Sequence, residues 1–97
     1  MNKFVCVHIG FEKPTPEIME VWGQWFESIK DSTVENIGFR GGKEISKEGT
    51  ADLPWGADSI TGLSVTNAEN LEDAEKMAAS NPFISSIRVY EVIEHKG

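Results

Sequence analysis

Hydrophobic and polar positions along this chain switch between two periods. From Lys3 to Gly10 they alternate: Val5, Val7 and Ile9 fall on one side, Phe4, Cys6 and His8 on the other. That is the two-residue period of a strand. From Pro16 onward, Ile18, Trp22, Trp25, Phe26 and Ile29 fall at helical spacing, and the stripe predicts an amphipathic helix ending near Lys30 or Asp31. Thr15 is its expected N-cap, Pro16 suits the first helical position, and Glu17 and Glu20 sit near the positive end of the dipole.

Alternation returns from Thr33 to Arg40, with Ile37 and Phe39 on one face and Asn36, Gly38 and Arg40 on the other. Gly41-Gly42 interrupts it as a bulge or bend, and Lys43 to Ile45 read as a brief continuation. Ser46 to Ala57 is polar, contains Gly49, Pro54 and Gly56, and reads as a long loop with Trp55 near its tip. A strand follows at Asp58–Thr66, a helix at Asn70–Ala79 and a last strand at Ser86–Ile93. Asn70 followed by Asp73 resembles a capping box, and Asn81-Pro82 stops the second helix.

The order β-α-β-β-α-β with right-handed crossovers predicts an α+β fold, the ferredoxin-like plait. Four antiparallel strands carry two helices on one face, within one domain spanning residues 1–97. The purely aliphatic set Val5, Val7 and Ile9 is expected to face the helices, with Thr61, Leu63, Val65, Ile87 and Val89. The opposite face then holds Phe4, Cys6, His8, Asn36, Gly38, Arg40, Ile60, Gly62, Ser64, Arg88, Tyr90 and Val92. That mixture is too apolar for free solvation, so a second copy is expected to cover it. Glycines 38 and 62 would leave a semi-polar cavity between the paired sheets of a homodimer.

Composition narrows the partners. The formal net charge is −7, and the nine basic residues are scattered singly, so nucleic acids and anionic membrane surfaces are not expected partners. No apolar run approaches a bilayer span, and no signal-peptide core follows Lys3. One cysteine allows no internal disulfide, which suits a cytoplasmic location. The glycines form no phosphate-binding loop. Two histidines far apart, at positions 8 and 95, predict no metal site, and no cofactor is expected.

The chain resembles the YCII-related proteins, which include the DGPF-domain proteins, within the dimeric α/β-barrel superfamily. The carriers are Phe4-Val-Cys-Val-His-Ile-Gly10, Trp22-Gly-Gln-Trp-Phe26, Gly41-Gly42, and Asn70-Leu-Glu-Asp-Ala-Glu75 continuing to Ala79-Ser-Asn-Pro-Phe83. The resemblance implies a dimeric α/β barrel enclosing a pocket, in a superfamily that includes lyases, isomerases and monooxygenases. The histidine that some YCII-type proteins carry in the first helix is matched here by Trp25. The Asp-Gly-Pro-Phe signature survives only as Leu53-Pro-Trp-Gly56.

The remaining candidate chemistry centres on His8, a potential general acid or base because its pKa lies near neutrality. Arg88 and Arg40 could hold a carboxylate or phenolate, and Tyr90 could donate to a developing oxyanion. Their alternative is an inter-subunit salt bridge with Asp58 or Glu91. Trp55 could close over a ligand or tuck into a dimer interface, and Cys6 shares the face of His8. Trp22 and Trp25 read as core or subunit-contact residues rather than a stacking platform. Two functions follow. One is a cofactor-free enzyme or ligand-handling protein acting on a small organic anion or aromatic. The other is a non-catalytic dimeric binding or accessory domain.

Overall fold

A computed structural model describes residues 2–93. The strands are β1 (Asn2–Ile9), β2 (Thr33–Gly38), β3 (Gly42–Ser46), β4 (Gly49–Leu53), β5 (Ile60–Ala68) and β6 (Ser86–Glu91). The helices are α1 (Pro16–Ile29) and α2 (Leu71–Ala79). Strands β2, β5, β1 and β6 form one antiparallel sheet in that spatial order, and both helices cover the same face. This is the ferredoxin-like plait expected from the periodicities. His95 lies outside the described residues.

Both helices start where side chains can satisfy their first amides. Thr15 Oγ1 accepts from the Ile18 N–H at 3.2 Å, and Asn70 Oδ1 accepts from the Asp73 N–H at 2.9 Å. Helix α2 lies close on the sheet because it presents Ala74 and Ala78, and Phe4 fills the space with Ala68 and Val89. Helix α1 stands further off. The rings of Trp22, Trp25 and Phe26 occupy the gap, and Trp25 Nε1 donates to Met77 O (3.2 Å) and Ser80 Oγ (3.1 Å). Those bonds tie α1 to the C-terminal end of α2, so Trp25 is a core residue.

Two expectations require correction. The first concerns sheet faces. Phe4, Cys6 and His8 are buried toward the helices, whereas Val5 and Val7 are half-buried on the uncovered face. Cross-strand pairing carries this across the sheet, because residues directly opposite share a face. Cys6 opposes Ser64, His8 opposes Gly62, Ser64 opposes Asn36, and Gly62 opposes Gly38, so all of these lie on the helix side. Thr61, Leu63, Val65 and Ile37 lie on the other. The physical reason is volume: bulky α1 rings need small partners, which Gly62, Ser64, Thr66 and Cys6 supply. Only β6 follows the expected parity, with Ile87 and Val89 inward and Arg88 and Tyr90 outward. A register irregularity after His8 lets Ile9 be buried as well.

The second correction concerns the long loop. Lys43–Ile45 do not extend β2; they belong to a separate hairpin, β3–β4, whose residues are exposed throughout. Gly49 holds a φ of +125°, which favours glycine, just after the Lys47-Glu48 turn. Lys43 Nζ meets Asp52 Oδ1 across the hairpin at 2.7 Å.

Candidate functional site

A cavity of about 340 Å³ opens between α1 and the helix-facing side of the sheet. It follows from the stand-off of α1: where the aromatic rings end and the strands present glycine and serine, nothing fills the space. Trp22, Phe26, Ile18 and Met19 line it from the helix, and Phe11, Pro14 and Ile84 from the loops. His8, Ser64, Gly62, Asn36 and Gly38 line it from the strands. A Cβ at Gly38 would meet nothing within 4 Å, so that glycine contributes open volume. Gly62 has a different role: a Cβ there would come within 2.6 Å of the Ile37 carbonyl oxygen, so its bareness lets β2 approach β5.

The polar focus of the cavity is a pair of side chains. His8 and Ser64 sit diagonally across β1 and β5, and His8 Nε2 lies 3.0 Å from Ser64 Oγ. His8 is 6% exposed, and Trp22 and Trp25 pack edge-on to its ring with centroids at 5.1 and 5.7 Å. Burial against these apolar rings penalises the imidazolium and pulls the His8 pKa below its ordinary value, so the ring is neutral at physiological pH. Its Nδ1 is buried and has no hydrogen-bond partner among the described residues, a cost of roughly 1–3 kcal/mol. Thr66 Oγ1 and both amide atoms of Asn81 are likewise buried without a partner among the described residues, but only His8 of these lines the cavity. The Ser64 hydroxyl keeps hydrogen-bonding capacity beyond His8. If it donates to Nε2 it can still accept, and if it accepts from Nε2–H its own proton is free to donate.

Of the six candidate site residues His8, Arg88, Tyr90, Arg40, Trp55 and Cys6, only His8 lines this cavity. Cys6 is fully buried one strand step away, and burial pushes its thiol pKa up despite the opposing influence of the Thr66 hydroxyl; this is an inert core thiol. Arg88 and Tyr90 lie on the other side of the sheet, opposite Val7 and Val5, and Tyr90 is 54% exposed. Arg40 is exposed just beyond the end of β2. Trp55 packs on Phe11, with ring centroids 5.4 Å apart, beside a shallow recess at the base of the hairpin. The expected grouping of His8 with Arg88 and Tyr90 is therefore corrected: a sheet's thickness separates them. The cavity described here forms within a single chain and does not depend on the expected pairing of sheets.

Sequence reasoning grouped Ser64 and Asn36 with His8 on one face, but missed Trp22 and Phe26 as cavity residues by assigning them to the apolar stripe of α1 alone. The available signal was parity: Ser64 and Gly62 share a face and are too small to fill a core opposite tryptophans. Among the described residues, no group of three or more His, Cys, Asp or Glu side chains is placed to hold a metal ion. No helix among them is long and apolar enough to cross a membrane.

Fold and site define an α+β ferredoxin-like chain with an intramolecular cavity under its first helix. The fold is shared with 5-chloro-2-hydroxyhydroquinone dehydrochlorinase (TftG) from Burkholderia phenoliruptrix AC1100, solved in complex with 2,5-dihydroxybenzoquinone. The TM-score is 0.59 at 10% sequence identity, over 97% of this chain and 96% of that one. At that identity the likeness shows the fold alone. No protein-family model and no curated protein matches the chain.

Proposed function

We propose that this protein handles a small organic molecule in the cavity between α1 and the sheet, with His8 as the acid–base group. The observation that carries the reading is His8 itself. It is a neutral, almost fully buried imidazole at the wall of a mostly apolar cavity, joined to Ser64 and left with a nitrogen unpartnered among the described residues. A buried neutral imidazole is a competent base for a weakly acidic hydroxyl. The proton would pass from ligand to Ser64 Oγ and from Ser64 to Nε2, without a cofactor. The fold is one on which a dehydrochlorinase of a hydroxylated ring is also built, which agrees with this chemistry.

The same chain is proposed to form a homodimer through the uncovered sheet face. Val5, Val7, Leu63 and Val65 are half-buried there without a covering layer, beside the exposed Ile37 and Tyr90. An antiparallel sheet commonly turns a polar face to water; this one carries an aliphatic patch among Glu35, Thr61 and Arg88.

The test is substitution of His8 by Gln in a turnover assay, with folding followed in parallel. Loss of rate at retained stability supports catalysis. Unchanged rate in a folded variant removes His8 from the chemistry and leaves the second reading, a dimeric binding domain. That reading draws on the tryptophan at position 25, where some YCII-type proteins carry a helix histidine.

A further inference from the structure

We propose that the cavity selects an uncharged single-ring molecule bearing a hydroxyl or carbonyl group, and discriminates against carboxylate and ammonium analogues. This rests on the reading that the cavity is the ligand site, and it replaces the wider expectation of an organic anion. Among the described residues that line the cavity there is no lysine or arginine; the one formally charged side chain is Glu12. A carboxylate entering here would lose its hydration, meet no cation and approach a like charge.

The N-terminus of α1 offers little compensation. Pro16 has no amide proton, the Ile18 N–H is taken by Thr15 Oγ1 and the Met19 N–H by Thr15 O. What remains of the first turn is the Glu17 amide, on a residue with its own negative charge. An ammonium group fares no better at depth: Glu12 is exposed, and the groups on the strand wall are neutral.

A neutral ring suits each surface in turn. Trp22 and Phe26 provide faces and edges for aromatic contact. Ser64, coupled to His8, can donate to a carbonyl or accept from a hydroxyl depending on which nitrogen of His8 holds the proton. The volume is at the small end of the roughly 300–1,000 Å³ usual for small-molecule sites, so one ring rather than a fused system is the fit.

The experiment is a chemical-shift titration of the isotope-labelled protein near neutral pH with phenol, benzoate and benzylammonium. These are three single rings of similar size, neutral, anionic and cationic respectively. Phenol is expected to shift the Ser64 amide and the Trp22 indole, and to bind at least about tenfold more tightly than either ion. Those shifts are expected to vanish in Gly38→Val, whose side chain would occupy the cavity. If benzoate or benzylammonium binds as well as phenol at the same resonances, the cavity reading survives and the charge selection is overturned. If no probe shifts these resonances, or the phenol shifts persist in Gly38→Val, the cavity is not the ligand site and both readings fall.

Discussion

The two faces of the four-stranded sheet are built from the same alternating strands and do opposite things. On the helix side, under α1, the strands contribute small or polar residues, Cys6, His8, Gly62, Ser64 and Thr66, and the helix brings the bulk. Under α2 the strands bring it, as Phe4 and Val89 against alanines. On the bare side they contribute Val5, Val7, Leu63 and Val65, which are half-buried and which neither described helix covers. The difference shows that aliphatic character does not identify the face a helix covers. Complementary volume does: Trp22 and Trp25 need recesses, and a row of valines would exclude them. Where the complement falls short of complete, beside Gly38, a cavity remains.

The comparison can be broken from either side. The largest effect is expected for Trp25→Ala, which empties the α1–α2 junction and removes the Nε1–H donor shared by Met77 O and Ser80 Oγ. Denaturant unfolding should show a loss of about 3–5 kcal/mol, independent of protein concentration. Next comes Val7→Lys on the bare face. It is expected to convert a dimer to a monomer by light scattering, with on the order of a hundredfold weaker self-association and the cavity left in place. A wild-type monomer would refute the proposed pairing without touching the cavity, since the cavity belongs to one chain.

Gly62→Ala is expected to cost about 1–3 kcal/mol, because its methyl group would press on the Ile37 carbonyl and push β2 from β5. The pH dependence is smaller and has a definite sign. The folded His8 pKa lies below its unfolded value of roughly 6.5, so the unfolded chain takes up the proton first as pH falls. Stability from this group is therefore complete above that value and declines as pH drops toward the folded pKa, by at most about 1.4 kcal/mol per pH unit. His8→Gln should flatten that part of the profile. Gly38→Val should change stability least, within about 0.5 kcal/mol, while blocking the cavity.

Much of the fold was legible because it rests on period and punctuation. Thr15, Pro16 and Asn70 mark helix starts that the structure keeps, and the strand–helix order admits few topologies. The faces were harder to read because both residue sets of β1 are apolar enough to be buried. Alternation then fixes which residues share a face, but not which face the helices take. In β6 the charge on Arg88 broke that tie. The β3–β4 hairpin escaped notice because Lys47-Glu48 lacks the Asn-Gly or Asp-Gly signature and Ile45 is the sole large apolar residue of β3. As for the site, His8 was visible as a candidate and shared its face with Ser64, Gly62 and Asn36, but the α1 rings that complete the cavity depended on which face the helices take.

The most direct test is therefore a set of proton–proton contacts from the His8 ring, read as nuclear Overhauser cross-peaks. Cross-peaks to the indoles of Trp22 and Trp25 are expected, given ring centroids 5.1 and 5.7 Å away. Cross-peaks to the Tyr90 ring instead, with none to either indole, would place His8 on the bare face and contradict both the cavity and its proposed chemistry.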